Sequence, residues 1–205
     1  MTALEIETPH GPARVHLGEA DGAAAALVLG HGAGGGVESR DIQTAREVAL
    51  AEGISVALVE QPYRVAGRRS PAPAKQLDAA WTAVVERLTG AELEGLDLIA
   101  GGRSLGARVA CRTASELGAR AVLCLAFPLQ PPQRKGKPRS PDRLDELETV
   151  TVPTLVVQGE SDQFGIPPEG PDRRVELVPG THTLRQMEPI ADAIRGWLPG
   201  VAGNR

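Results

Sequence analysis

Six short apolar runs, at residues 25–29, 54–59, 96–100, 121–127, 154–157 and 174–178, constrain this chain more than any single motif. Most are continuous rather than alternating, which is how strands covered on both faces read. Between them the period changes. Residues 39–52 put Ile42, Ala45, Val48 and Ala49 on one side and stop at Gly53. Residues 75–88 put Leu77, Trp81, Val84, Val85 and Leu88 on one stripe and stop at Gly90. Residues 104–117 end at Gly118, and 189–198 carry Ile190, Ile194, Trp197 and Leu198. At the start, 4–7 and 13–17 flank His10-Gly11-Pro12 and read as a β-hairpin. A hairpin followed by such alternation predicts an α/β fold: a mostly parallel, doubly wound sheet flanked by helices, with an antiparallel edge at the N-terminus. No repeat or linker divides the chain, so 1–205 reads as a single domain.

Composition narrows the class. A chain of 205 residues buries about 70% of its unfolded surface, and a hydrophobic fraction of 41% suits a globular core. A net charge of −4 argues against a dedicated nucleic-acid binder. No apolar run approaches the ~18 residues of a membrane span. Residues 1–12 lack the charged-then-apolar order of a secretory leader. Cys111 and Cys124 both sit in apolar stretches and supply neither a metal cluster nor a disulfide framework. The expectation is a reduced, soluble, cytoplasmic protein acting on a small molecule, without metal or organic cofactor and bound to neither nucleic acid nor membrane. Oligomeric state is open.

In a doubly wound sheet, ligands meet the carboxyl ends of the strands, so the residues after each run carry the functional reading. After 96–100 comes Gly101-Gly102-Arg103-Ser104-Leu105-Gly106, then a helical segment. Gly102-x-Ser104-x-Gly106 between a strand and a helix is the pattern of a nucleophile on a sharp turn. Small residues are needed two positions to either side, where side chains would strike the neighbouring strand and helix. Such a serine stands beside free N–H groups at a helix start, which favour a developing oxyanion.

A serine hydroxyl needs a base, and the base an orienting carboxylate. Of four histidines, His10 lies in the hairpin turn, His16 in a strand and His31 in a glycine loop; only His182 follows a late strand in a loop that can lean over Ser104. Asp162 and Glu160 compete for the carboxylate after the run at 154–157. Asp162 is favoured because three residues past Gly159 the chain can curl back toward the His182 loop. The order Ser104, Asp162, His182 is one of the known triad orders.

The loop 30–36 has two readings. In one, a backbone N–H from about Ala33 joins that of Leu105 to bind the oxyanion. In the other, Gly30-x-Gly32-x-x-Gly35 is a dinucleotide fingerprint with Glu60 as the ribose carboxylate. That spacing, roughly 28 residues from the loop to Glu60, is long for the fingerprint, and the reading leaves Ser104, Asp162 and His182 unexplained.

These segments together resemble an α/β-hydrolase over nearly the whole chain: Leu27-Val28-Leu29-Gly30-His31-Gly32, the turn at 102–106, the acid segment 155–162 and Gly180-Thr181-His182. More narrowly, Gln61-Pro62-Tyr63-Arg64, Gly102-Arg103-Ser104 and Phe127-Pro128-Leu129 resemble a small cap-less branch. That branch is akin to dienelactone hydrolases and to bacterial hydrolases grouped with a testis-expressed vertebrate protein. The resemblance implies a Ser104–Asp162–His182 triad. The chain departs from dienelactone hydrolases in having Ser104 where they carry cysteine, and its loop after Pro132 is longer and more basic. Some relatives act as scaffolds, so a catalytically idle binding protein is the competing class.

Only 26 residues, 128–153, separate the runs at 121–127 and 154–157, too few for a cap domain once a short helix at 142–147 is allowed for. An open site suits a small acyl group. His31, Tyr63, Arg103, Phe127 and Phe164 are candidate substrate contacts, with Tyr63, Phe127 and Phe164 expected to line the mouth. Arg103 could equally brace the turn. Arg64, Arg68, Arg69, Arg134, Lys135, Lys137, Arg139 and Arg143 form two basic loops, read first as solvated charge paired with Asp142, Asp145 and Glu146 and second as a rim for anionic substrates.

Overall fold

The structure, a computed structural model, describes residues 2–203 except 134, 135, 137 and 139. Eight strands form one sheet in the order β1-β2-β4-β3-β5-β6-β7-β8. They are β1 (Thr2–Ile6), β2 (Ala13–Gly18), β3 (Ala25–Gly30), β4 (Ser55–Glu60), β5 (Asp97–Arg103), β6 (Ala121–Leu125), β7 (Thr154–Gly159) and β8 (Arg173–Val178). The β1–β2 and β2–β4 pairs are antiparallel and all the others parallel. The helices are α1 (Arg40–Ala51), α2 (Pro62–Val65), α3 (Ala74–Thr89), α4 (Leu105–Thr113), α5 (Leu144–Glu148) and α6 (Met187–Trp197).

Central strands are buried along their length because both sheet faces are covered. Period-2 alternation then sorts their side chains into two cores. Ala26, Val28, Ala57 and Val59 pack with Trp81, Val84 and Leu88 of α3 and Val109 of α4. Leu27, Leu29, Val56 and Leu58 pack on the other face with Ile42 and Val48 of α1 and Ile190 and Ile194 of α6. Cys111 and Cys124 are free, buried thiols with sulfurs 3.5 Å apart in the first core.

Differences from the expected boundaries have local causes. β5 runs on to Arg103, so Gly101 and Gly102 are strand residues, not part of a turn. β6 stops at Leu125 because Ala126 takes φ 51° while its N–H bonds the Val157 carbonyl. The chain therefore turns Phe127 inward. α4 is shorter than expected, ending at Thr113, and Ser104 precedes it instead of starting it. In the connection 128–153 the only helix among the described residues is the five-residue α5, shifted slightly from 142–147. No helix among the described residues is long and apolar enough to cross a membrane.

Candidate active site

Ser104 stands between β5 and α4 with φ 52° and ψ −103°, a conformation outside the wells open to an L-residue. Close approach of three backbone segments makes this turn. A Cβ on Gly102 would lie 2.6 Å from the Gly30 carbonyl oxygen, and one on Gly106 would fall on that same carbonyl. The glycines two positions either side of Ser104 thus let β3, β5 and α4 meet, and the sharp turn follows. The Ser104 N–H bonds the Leu125 carbonyl, which anchors the turn to β6.

His182 lies in the loop between β8 and α6. Its Nε2 is 2.9 Å from Ser104 Oγ, and its Nδ1 is 2.8 Å from Asp162 Oδ2. Sequence separation is 78 residues in one case and 20 in the other, so the fold alone creates the row. Asp162 reaches His182 because its own N–H bonds the Gly159 carbonyl, curling the loop after β7. A Cβ on Gly159 would collide with the Thr181 carbonyl, so the acid loop and the His182 loop touch only with glycine there. The Phe164 N–H donates to Asp162 Oδ1 at 2.8 Å, and the Phe164 ring meets the His182 ring edge-on at 4.6 Å. The Glu160 side chain is exposed.

The glycine loop after β3 is pinned from below. His31 Nδ1 lies 2.8 Å from the Gly32 carbonyl, and its Nε2 accepts the Gln61 N–H at 3.1 Å. These partners select the neutral tautomer with the proton on Nδ1. Burial lowers the His31 pKa against the smaller effect of the Gly32 bond. The Tyr63 hydroxyl donates to the Ala33 carbonyl at 3.1 Å. Burial pushes its pKa up to about 12. Leu105 is the first residue of α4, where a backbone N–H has no acceptor within its helix.

Several expected substrate contacts are corrected. Phe127 is 0% exposed within the first core, because the chain bends inward at Ala126, so it does not line a mouth. Tyr63 and His31 are buried, with their polar atoms already bonded to the backbone of Gly32, Ala33 and Gln61. Arg103 braces: it donates to Asp41 Oδ2 at 3.2 Å and to the His182 carbonyl at 3.1 Å. Phe164 alone of the three rings stands half-buried at the row. A cleft of about 600 Å³ opens between the glycine loop and the residues that follow His182, walled by Gly32, Gly35, Arg40, Arg103, Thr183 and Arg185; Ser104, His182 and Phe164 are not among its walls.

The basic loops divide. Arg134, Lys135, Lys137 and Arg139 lie outside the described residues. Arg68 and Arg69 are exposed, whereas Arg143 donates to the Pro128 carbonyl at 2.7 Å. Among the described residues Glu146 forms salt bridges with Arg108 and Arg112 of α4, and Arg112 also takes Asp78. Glu60 accepts from His16 at 3.1 Å and so is engaged away from any ribose; the glycine loop runs on to Arg40 before α1 begins. Among the described residues no group of three or more His, Cys, Asp or Glu is arranged to hold a metal. Sequence reasoning missed Gln158 and Asp41, since a buried glutamine before a glycine and an acid at a helix start carry no motif.

No curated protein matches this chain in sequence. Solved structures resemble it closely in fold at low identity. An α/β serine hydrolase without a lid from Xanthomonas campestris is 17% identical, with TM-score 0.79, covering 100% of this chain and 96% of its own. Est1E from Butyrivibrio proteoclasticus is 16% identical with TM-score 0.78, and a dienelactone hydrolase from Anabaena variabilis 17% with TM-score 0.78; each match covers 98% of both chains. The family model described as alpha/beta hydrolase domain matches residues 23–177, three-quarters of the length, and the chain belongs to that family.

Proposed function

We propose that this protein is a serine hydrolase that cleaves a small ester or related acyl substrate through an acyl-enzyme. The observation that carries the reading is the row Ser104 Oγ, His182 and Asp162, with 2.9 Å and 2.8 Å between successive partners. Both distances lie within hydrogen-bond reach for a nucleophile, its base and an orienting acid.

In this reading Ser104 Oγ attacks the acyl carbonyl carbon while Nε2 of His182 takes its proton. The Nδ1–H of the resulting imidazolium donates to Asp162, which fixes the tautomer and offsets the charge. The carbonyl oxygen becomes an oxyanion held by the N–H groups of Leu105 and about Ala33. Collapse expels the alcohol, which takes the proton from Nε2. Water, deprotonated by the same nitrogen, then attacks the acyl-enzyme, releasing the acid and restoring Ser104. The likeness to the lid-less serine hydrolase from Xanthomonas campestris and to Est1E, a protein whose structure is also known with ferulic acid bound, supports an accessible ester over an interfacial lipid.

Labelling with a fluorophosphonate, wild type against Ser104→Ala, tests this directly. Wild type is expected to label and the variant not to. Folded wild type that stays unlabelled would return the protein to the idle-scaffold class, and a labelled variant would move the nucleophile elsewhere. A panel of short-chain esters, aryl esters, thioesters and lactones then assigns the acyl group.

A further inference from the structure

Gln158 lies near the end of β7 and is 0% exposed. Three acceptors surround its amide nitrogen: Asp162 Oδ2 at 2.7 Å, the Gly165 carbonyl at 2.9 Å and the Phe127 carbonyl at 3.1 Å. The amide has two hydrogens to share among them. Turned over, it would aim its own oxygen at two carbonyls and a carboxylate, so its orientation is decided. On the other side, Gln158 Oε1 is buried with no hydrogen-bond partner. An orphaned acceptor is unfavourable in an interior, and an apolar side chain of the same volume would avoid it. The glutamine is useful here only through its N–H groups.

The oxygen it serves is the one that faces His182 Nδ1. Asp162 Oδ1 is held by the Phe164 N–H, so the carboxylate is fixed at both oxygens. His182 is the ionisable side chain paired with Asp162 among the described residues; Phe164 and Gly165, on the same loop, and Phe127, past β6, bring no charge. We propose that Gln158 is a positioning residue for hydrolysis: its amide fixes the plane of the Asp162 carboxylate and shares Oδ2 with His182, which limits how strongly that oxygen holds a protonated imidazole. The proposal rests on the serine-hydrolase reading and adds to it a polar group that neither the nucleophile, base nor acid assignment requires.

The test compares full-length wild type, Gln158→Met and Gln158→Glu by fluorophosphonate labelling rate as a function of pH, with folding followed by circular dichroism. Gln158→Met keeps the volume and removes the donor. Its labelling is expected to fall about 10- to 100-fold from loss of alignment. Its acid limb should move to higher pH, because Oδ2 without the amide stabilises the imidazolium more. Gln158→Glu, when protonated, still donates one O–H to Asp162. It should label near the wild-type rate in acid and lose that rate as the new carboxyl ionises beside Asp162. Should Gln158→Met not fold, Gln158→Glu carries the test alone. A folded variant that labels at the wild-type rate with an unshifted profile overturns the assignment of Gln158 and leaves the hydrolase reading intact. Folded wild type that does not label overturns the hydrolase reading and this proposal with it.

Discussion

Arg103 donates through Nη2 to the backbone oxygen of His182 at 3.1 Å, and through Nε to Asp41, a buried carboxylate in the first turn of α1. One guanidinium thus ties the loop that carries the imidazole to the helix across the cleft. A lysine ammonium on its flexible stem lacks the fork that spans both acceptors. Arg103→Met removes both bonds and leaves Asp41, 4% exposed, beside an apolar chain. We expect a loss of about 2–3 kcal/mol in urea unfolding, and a partial recovery in the double variant Arg103→Met/Asp41→Asn. In the single variant, fluorophosphonate labelling should slow about tenfold as the His182 loop loosens. Unchanged stability would mean that the pair is not what holds Asp41.

Among the described residues two non-glycine residues have positive φ, Ser104 at 52° and Ala126 at 51°, and they stand at the ends of the adjacent strands β5 and β6. Glycine relieves such strain at either position. Ser104→Gly should be more stable than Ser104→Ala by about 1 kcal/mol, with labelling absent in both. Ala126→Gly should gain a similar amount while labelling stays intact. Thermal or urea melts of the three variants decide it. If Ser104→Gly is no more stable than Ser104→Ala, the turn is not strained at the nucleophile.

The sheet, the order of its elements and the row Ser104, Asp162, His182 were legible because each leaves a one-dimensional mark. Buried parallel strands show as continuous apolar runs, and the close approach of β3, β5 and α4 forces Gly102 and Gly106. Asp162 could be preferred over Glu160 because Gly159 marks where the acid loop bends. What stayed hidden depends on where a chain turns after its strand. Phe127 reads like Phe164 in sequence, yet the φ of Ala126 sends one ring into the core and leaves the other against His182. Tyr63 and His31 bind backbone of the glycine loop, a contact with no sequence periodicity. Gln158 takes its meaning from carbonyls 31 and 7 residues away.

Burial of His31 gives the fold a pH dependence whose sign can be worked out. Its folded pKa lies below the ordinary 6.5, chiefly from desolvation. As pH falls below about 6.5 the unfolded chain takes up the proton first, so stability declines until the folded site protonates too. The slope from this one group is at most about 1.4 kcal/mol per pH unit. His31→Gln cannot titrate there. The gap in unfolding free energy between wild type and variant should therefore be larger at about pH 7.5 than at about pH 5. Parallel curves would show that His31 does not carry the effect.

Tyr63 is the single tyrosine of the chain, so phenolate absorbance reports on it alone. With its pKa pushed up to about 12 by burial, the folded protein should show no phenolate absorbance near pH 10, where the unfolded chain is half ionised. Between those values the unfolded state has lost a proton that the folded state keeps, so stability falls as pH rises through this window. Tyr63→Phe abolishes that dependence. It also frees the Ala33 carbonyl from its hydroxyl partner, at a cost of about 1 kcal/mol in stability near neutral pH. Because the freed carbonyl belongs to the loop proposed to bind the oxyanion, the variant should show a lower kcat on any ester the wild type cleaves, with KM little changed. A raised KM at constant kcat would instead make Tyr63 a substrate contact, which its burial beneath the glycine loop argues against.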